Sequence, residues 1–194
     1  MKKSNSHPIL LSLVLIVLLS TPSYSHVVPE DQLRNQVYLT TNEALKKVFA
    51  GIRKIKREKQ KISPAQRKRI EEISGQKFKD QRVEFYTART DDQNIYATIG
   101  KATANSHPVT EVKFALLIDS QGQVKALLIM EYRGPQRAEI ISRPFLDQYL
   151  NLSAESDFSA ITSNQGPTPS VQAMSQAIHK ILVLYKVLYL DSSN

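Results

Sequence analysis

The chain reads as a single α+β domain, an antiparallel sheet with a central hairpin, preceded by two helices and closed by a long one. Three observations predict it. Two capping-box sequences, Thr40-Thr41-Asn42-Glu43 and Ser63-Pro64-Ala65-Gln66, open apolar stripes of helical period. Four segments rich in β-branched and aromatic residues then follow, separated by polar turn clusters. Finally, Met174, Ile178, Ile181, Leu182 and Tyr185 recur at helical spacing behind Val171.

Taken in order, the first stripe is Leu45, Val48, Phe49, Ile52 and Ile55, which predicts a helix running to residue 55. Pro64 suits the first position of the second helix, whose stripe continues through Ile70 and Ile73 to Gly75. Strands are expected over residues 83–87, 95–100, 112–119 and 123–132. Asp119-Ser120-Gln121-Gly122 joins the last two as a hairpin turn. The run Ala126-Leu127-Leu128-Ile129-Met130 is continuous rather than alternating, so it predicts a central strand covered on both faces. Pro144 opens a short helix carrying Phe145, Leu146, Tyr149 and Leu150, and a polar segment over 153–165 leads to the closing helix.

The first 25 residues stand apart from this domain. Met1-Lys2-Lys3 is a positive start, residues 9–19 are an apolar run short for a bilayer span, and Ser23-Tyr24-Ser25 offers small residues for cleavage near His26. The expectation is an exported, periplasmic protein, peripheral to the membrane, with a leader over 1–25, a polar lead-in over 26–39 and one domain over 40–190. Within that domain, basic helices are expected over 41–75, the sheet over 83–132 and a site loop with the last helix over 160–190.

Composition narrows the chemistry. With 194 residues and 41% hydrophobic content the chain has enough apolar material for one core. It has no cysteine, which removes disulfides, iron–sulfur clusters and c-type haem together. The histidines, His7, His26, His107 and His179, show no ligand spacing, so no metal is expected. Electron transfer would need an organic cofactor.

Charge is concentrated. Residues 46–82 hold 14 basic and 4 acidic side chains, whereas the rest of the chain beyond the leader holds 10 and 14. Arg53, Lys54, Lys56, Arg57, Lys59, Lys61, Arg67, Lys68 and Arg69 form a basic cluster suited to an anionic membrane surface or an acidic partner. Export argues against nucleic acid.

Gln165-Gly166-Pro167-Thr168-Pro169-Ser170 precedes the closing helix at once. A helix entry presents unpartnered N–H groups and positive partial charge, so an anion there is stabilised. Thr168 offers a hydroxyl at that mouth, and Thr168 or Ser170 equally suits a simple N-cap.

Residues 166–174, Gly-Pro-Thr-Pro-Ser-Val-Gln-Ala-Met, resemble the Gly-Ala-Thr-x-Ser-Ser-x-Ala-(Leu/Val) signature of FMN-binding domains. These are the flavin-carrying subunits of sodium-pumping quinone reductases, their Rnf-type relatives and small exported flavoproteins. The resemblance extends over Ala44-Leu45-Lys46-Lys47-Val48-Phe49, Ile62-Ser63-Pro64-Ala65-Gln66, Ile95-Tyr96-Ala97-Thr98-Ile99-Gly100-Lys101 and the hairpin ending near Tyr132. It departs at Thr162, Gln165 and Pro167, and Gly134 stands where the family has an acid.

The resemblance implies FMN, its phosphate covalently joined to Thr168 or held there non-covalently, with Gln165, Gly166 and Ser170 around it. Tyr132, Arg133 and Glu139 are implied as neighbours of the ring. The implied function is that of an electron carrier rather than a stand-alone enzyme, with a membrane redox partner or a flavin transferase as partner. The alternative is a flavin-less member of the same fold, acting as a binding or scaffold module through its basic helices.

Overall fold

The computed structural model describes residues 36–107 and 109–193. The leader predicted over 1–25, and the lead-in as far as residue 35, lie outside them. The architecture is α+β, with a six-stranded antiparallel sheet flanked by helices on both faces. The strands are β1 (Gln36–Val37), β2 (Lys56–Lys61), β3 (Arg82–Arg89), β4 (Asn94–Ala104), β5 (Thr110–Ile118) and β6 (Val124–Arg133), in the spatial order β1-β6-β5-β4-β3-β2. The helices are α1 (Thr41–Val48), α2 (Pro64–Ser74), α3 (Arg137–Ile140), α4 (Arg143–Asp147) and α5 (Pro169–Tyr185), the last followed by a π turn and a 3-10 turn.

Both capping boxes form as the sequence predicts. The Thr40 hydroxyl accepts the Glu43 amide while the Glu43 carboxylate accepts the Thr40 amide at 2.8 Å, and Ser63 with Gln66 repeats the exchange. Asp119 closes the β5–β6 hairpin, its carboxylate accepting the amides of Gln121 and Gln123, both at 2.9 Å.

The sheet separates two apolar clusters. On one face Ala44, Leu45 and Val48 of α1 and its C-cap Phe49 lie over Ala97, Ala115, Leu117 and Met130. On the other, α5 lays Val171, Met174, Ile178 and Leu182 over Phe114, Leu116 and Leu127, with Ile70 of α2, Phe145 of α4 and Tyr149 just after it completing the layer. The continuous run in β6 is explained: Met130 faces α1 and Leu127 and Ile129 face α5, so both faces are covered. At Met130 the β5–β6 register slips by one residue, and its carbonyl receives the amides of Tyr38 and Leu39.

Three features differ from the sequence expectation. The first helix ends at Val48, not residue 55, and Lys56–Lys61 is an edge strand paired to β3. The basic region over 41–75 is therefore helix, strand, helix. Its lysines line a sheet edge, where charge discourages pairing with another chain. Ile52 still reaches the α1 cluster, from a turn, while Ile55 is 36% exposed. Second, Gln36–Val37 pairs with β6, although the lead-in shows no strand period. Third, α3 follows Gln136, whose φ is +62°.

One irregularity shapes the surface. The ladder between β3 and β4 runs from Arg89–Asn94 to Tyr86–Ala97 and stops, although β3 continues paired to β2 as far as Arg82 and β4 continues paired to β5 as far as Ala104. The Thr98 hydroxyl donates to the Glu84 carbonyl at 2.8 Å where the strands part. Beyond that clasp the chain leading into β3 is held elsewhere. The Arg67 guanidinium donates to the Phe78 carbonyl and, at 3.1 Å, to that of Asp80, and the Gln76 side chain donates to the Gln176 carbonyl of α5 at 3.0 Å.

Candidate functional site

The approach to α5 is a tight turn. The Gly166 amide donates to the Ser163 carbonyl at 2.8 Å, the Ser163 amide returns the bond at 3.2 Å, and the Ser163 hydroxyl donates to the Gly166 carbonyl at 2.8 Å. Gly166 has φ +84°, and a Cβ built there would meet nothing within 4 Å. The positive φ accounts for glycine at this position.

Thr168 is the N-cap, extended at φ −88° and ψ 159°. Its hydroxyl accepts the Val171 amide at 3.3 Å and its carbonyl accepts the Gln172 amide at 3.0 Å. Pro169 takes the first helical position, where its missing N–H costs nothing. Ser170 is buried, its hydroxyl donating to Thr110 Oγ1 at 3.3 Å and tying the helix entry to β5. The 17 residues of α5 direct the positive end of their dipole at this entry.

A second loop supports the first. The Gln136 side-chain amide donates to Gln165 Oε1 at 2.5 Å, and the Glu139 carboxylate accepts the Asn164 amide. Tyr132 stands behind both loops: it is 0% exposed, and its hydroxyl donates to the Pro135 carbonyl. Burial pushes its phenol up to about 12, partly offset by the hydrogen bond with Ser170. The structure thus brings Gln165, Gly166 and Thr168 together at one surface with Ser170 beneath. It sets Tyr132 in the core rather than at the mouth, while Arg133 is exposed at the end of β6.

Thr110, Pro135, Gln136, Ser163 and Asn164 also build this site, and sequence reasoning missed them. Gly134-Pro135 is a turn signal that marks the loop, but nothing local brings it to residues 163–166. Gly134 has φ +148°, and a Cβ there would lie 2.6 Å from Thr110 Oγ1, the atom that receives Ser170. Gly134→Ala is therefore expected to cost about 2 kcal/mol in a urea titration, by backbone strain and by displacing Thr110. An unchanged midpoint would show that the loop relaxes freely.

Compared with known proteins, the chain matches no family model, no curated protein and no solved structure. Among the described residues no helix is long and apolar enough to cross a membrane.

Proposed function

We propose that the protein is an exported carrier of FMN that accepts and passes on electrons, with the flavin phosphate held at Thr168. The observation that carries this reading is the position of Thr168. The residue that aligns with the flavin-bearing threonine is the N-cap of the longest helix among the described residues, half-exposed, at the end of a turn fixed by three hydrogen bonds. A phosphate on its Oγ would meet the positive end of α5.

The residues fit such a group. The Thr168 hydroxyl oxygen retains a lone pair for the Val171 amide when it is esterified, so the cap and the tether are compatible. Pro167 and Pro169 restrict the backbone φ on either side of Thr168 and offer no N–H to a phosphate. Gln136, bonded to Gln165, forms the neighbouring wall. Bound flavin would supply the redox chemistry, and Thr168 its point of attachment.

The test is intact-mass spectrometry of protein exported from a host that has a flavin transferase, beside Thr168→Ala. The expected result is an added mass of FMN less one water in the native chain and none in the variant. A yellow protein that loses its colour on denaturation would show non-covalent flavin instead. A colourless chain that takes up no added flavin would overturn the reading.

A further inference from the structure

The parted strands leave a slot of about 580 Å³ between β3 and β4. On the α5 side it is lined by small residues, Gly100 and Ala102 of β4 with Ala173 and Ala177 of α5. Gln76 and Phe78 close that side, the first bonded to α5 and the second lying under the Lys180 ammonium at 5.5 Å. From Thr98 to Thr103 the open edge of β4 is about 17 Å long.

That edge presents main-chain groups. Antiparallel strands turn alternate residues toward each neighbour, and the Thr90 amide already donates across the β3–β4 hairpin to the Gln93 carbonyl at 2.8 Å. The same alternation turns the N–H and C=O of Lys101 and Thr103 into the slot, past the end of the ladder, and those of Arg82 toward them from the other bank.

The opening is lined by the cations Arg82, Lys101 and Lys180 and by the carboxylates of Asp80 and Glu84, a net positive set. On the sheet face away from α5, Lys61 is directly opposite Arg82, and Lys101 directly opposite Lys113. Continuing the β3–β4 register would set Arg82 opposite Lys101 across the slot. Like charges in direct register destabilise a sheet, and two such pairs share this row. Lys113 and Lys101 are relieved by Glu131 at 2.6 Å and Glu111 at 3.4 Å. On the β3 bank Glu84 is already engaged by Arg57 at 2.6 Å, while Asp80 lines the slot two residues before Arg82.

We propose that this slot binds an extended acidic peptide segment of a partner protein, added as a strand to the free edge of β4. Main-chain bonds to Lys101 and Thr103 hold it. Alternate side chains then face opposite ways, as in any strand: one set small or β-branched against Ala173 and Ala177, the other carboxylates between Arg82 and Lys101. The proposal is independent of the flavin reading, because no atom of residues 163–170 takes part.

The experiment uses the full chain, without flavin, and an end-capped eight-residue peptide alternating glutamate and valine. Titration should show saturable binding, with slowed amide exchange at Lys101 and Thr103. The Arg82→Glu/Lys101→Glu double variant should bind at least tenfold more weakly, whereas Lys47→Glu, on α1, should bind within about twofold of native. Methylating the peptide nitrogens of the glutamates alone, or of the valines alone, should abolish binding in one case and spare it in the other, because only one set faces β4. Equal binding of both methylated peptides, or equal binding of a lysine–valine peptide, would overturn the proposal. So would a chain that ignores the acidic peptide but takes vesicles of phosphatidylglycerol. The methylated peptides leave the protein unaltered, so the result stands even where a variant folds poorly.

Discussion

Gly100→Val is expected to destabilise the protein by about 3 kcal/mol, at the upper end of the usual cost of overpacking. Gly100 lies on β4 where α5 crosses the sheet. A Cβ there would stand 2.4 Å from Phe114 Cζ and 2.7 Å from Ile181 Cδ1. Phe114 is 0% exposed, so its ring has no route to solvent and must press on α5. For a chain of this size the melting temperature should fall by about 6–12 °C. The partner of the clash can be identified. In a double-mutant cycle, Phe114→Leu should be tolerated better beside Gly100→Ala than in the native background, with a coupling of at least about 1 kcal/mol. A melting point unchanged by Gly100→Val would mean that the helix stands farther from the sheet than described.

The second large effect is alkaline. Burial raises the phenols of Tyr132 and Tyr189 to about 12 and pushes those of Tyr149 and Tyr185 up as well, from an ordinary value of 10.0. Above pH 10 the unfolded chain releases these protons while the native chain keeps them. The unfolded state then binds fewer protons, so stability falls as pH rises. Each such tyrosine contributes a slope of about 1.4 kcal/mol per pH unit until its folded value is reached. Three of the four rings are at most 1% exposed, and Tyr185 packs edge-on against Phe85 and Tyr96 and stacks on Tyr189 at 5.1 Å. Urea titrations at pH 9, 10 and 11 should therefore show a stability that is nearly level to pH 9, declines by pH 10 and falls steeply beyond it. Tyr132→Phe should flatten the fall by the share of one residue, at the cost of its bond to Pro135. Stability that holds level to pH 11 would show that water reaches these hydroxyls.

The helices show how far local reading goes. Thr40, Ser63 and Thr168 each cap the helix that follows them, because an N-cap is a bond between residues three apart and needs nothing else. The β5–β6 hairpin was equally legible, since Asp119 and its two amide partners lie within four residues. Lys56–Lys61 was not. Its sequence, KREKQK, has neither strand composition nor an apolar face, and it is extended because β3 pairs with it residue for residue. The helical stripe through Ile52 and Ile55 was coincidental in period: one of them packs from a turn and the other faces solvent.

The candidate site divides in the same way. Thr168 as a helix-entry hydroxyl, Gly166 in the turn and Ser170 behind it were readable from six consecutive residues. Gln136 and Thr110, which hold that entry in place, lie 29 and 60 residues away in the chain and carry no motif, and Glu139, 25 residues away, was reached only through the resemblance. Tyr132 shows the limit of inference from a strand end: position alone did not reveal whether its ring faces the mouth or the core, and packing beneath the loop decided it.

By itself the sequence determined the α+β class, the capped helix starts, the central hairpin and the place of the threonine hydroxyl, because each rests on interactions a few residues long. Only the tertiary structure decided that the basic run is a sheet edge, that β3 parts from β4, and that four cations line up across the opening. Strand pairing joins residues far apart in the chain. Its register depends on where the α2–β3 link is anchored, by Arg67 and by Gln76 on α5, and no local pattern encodes that anchorage.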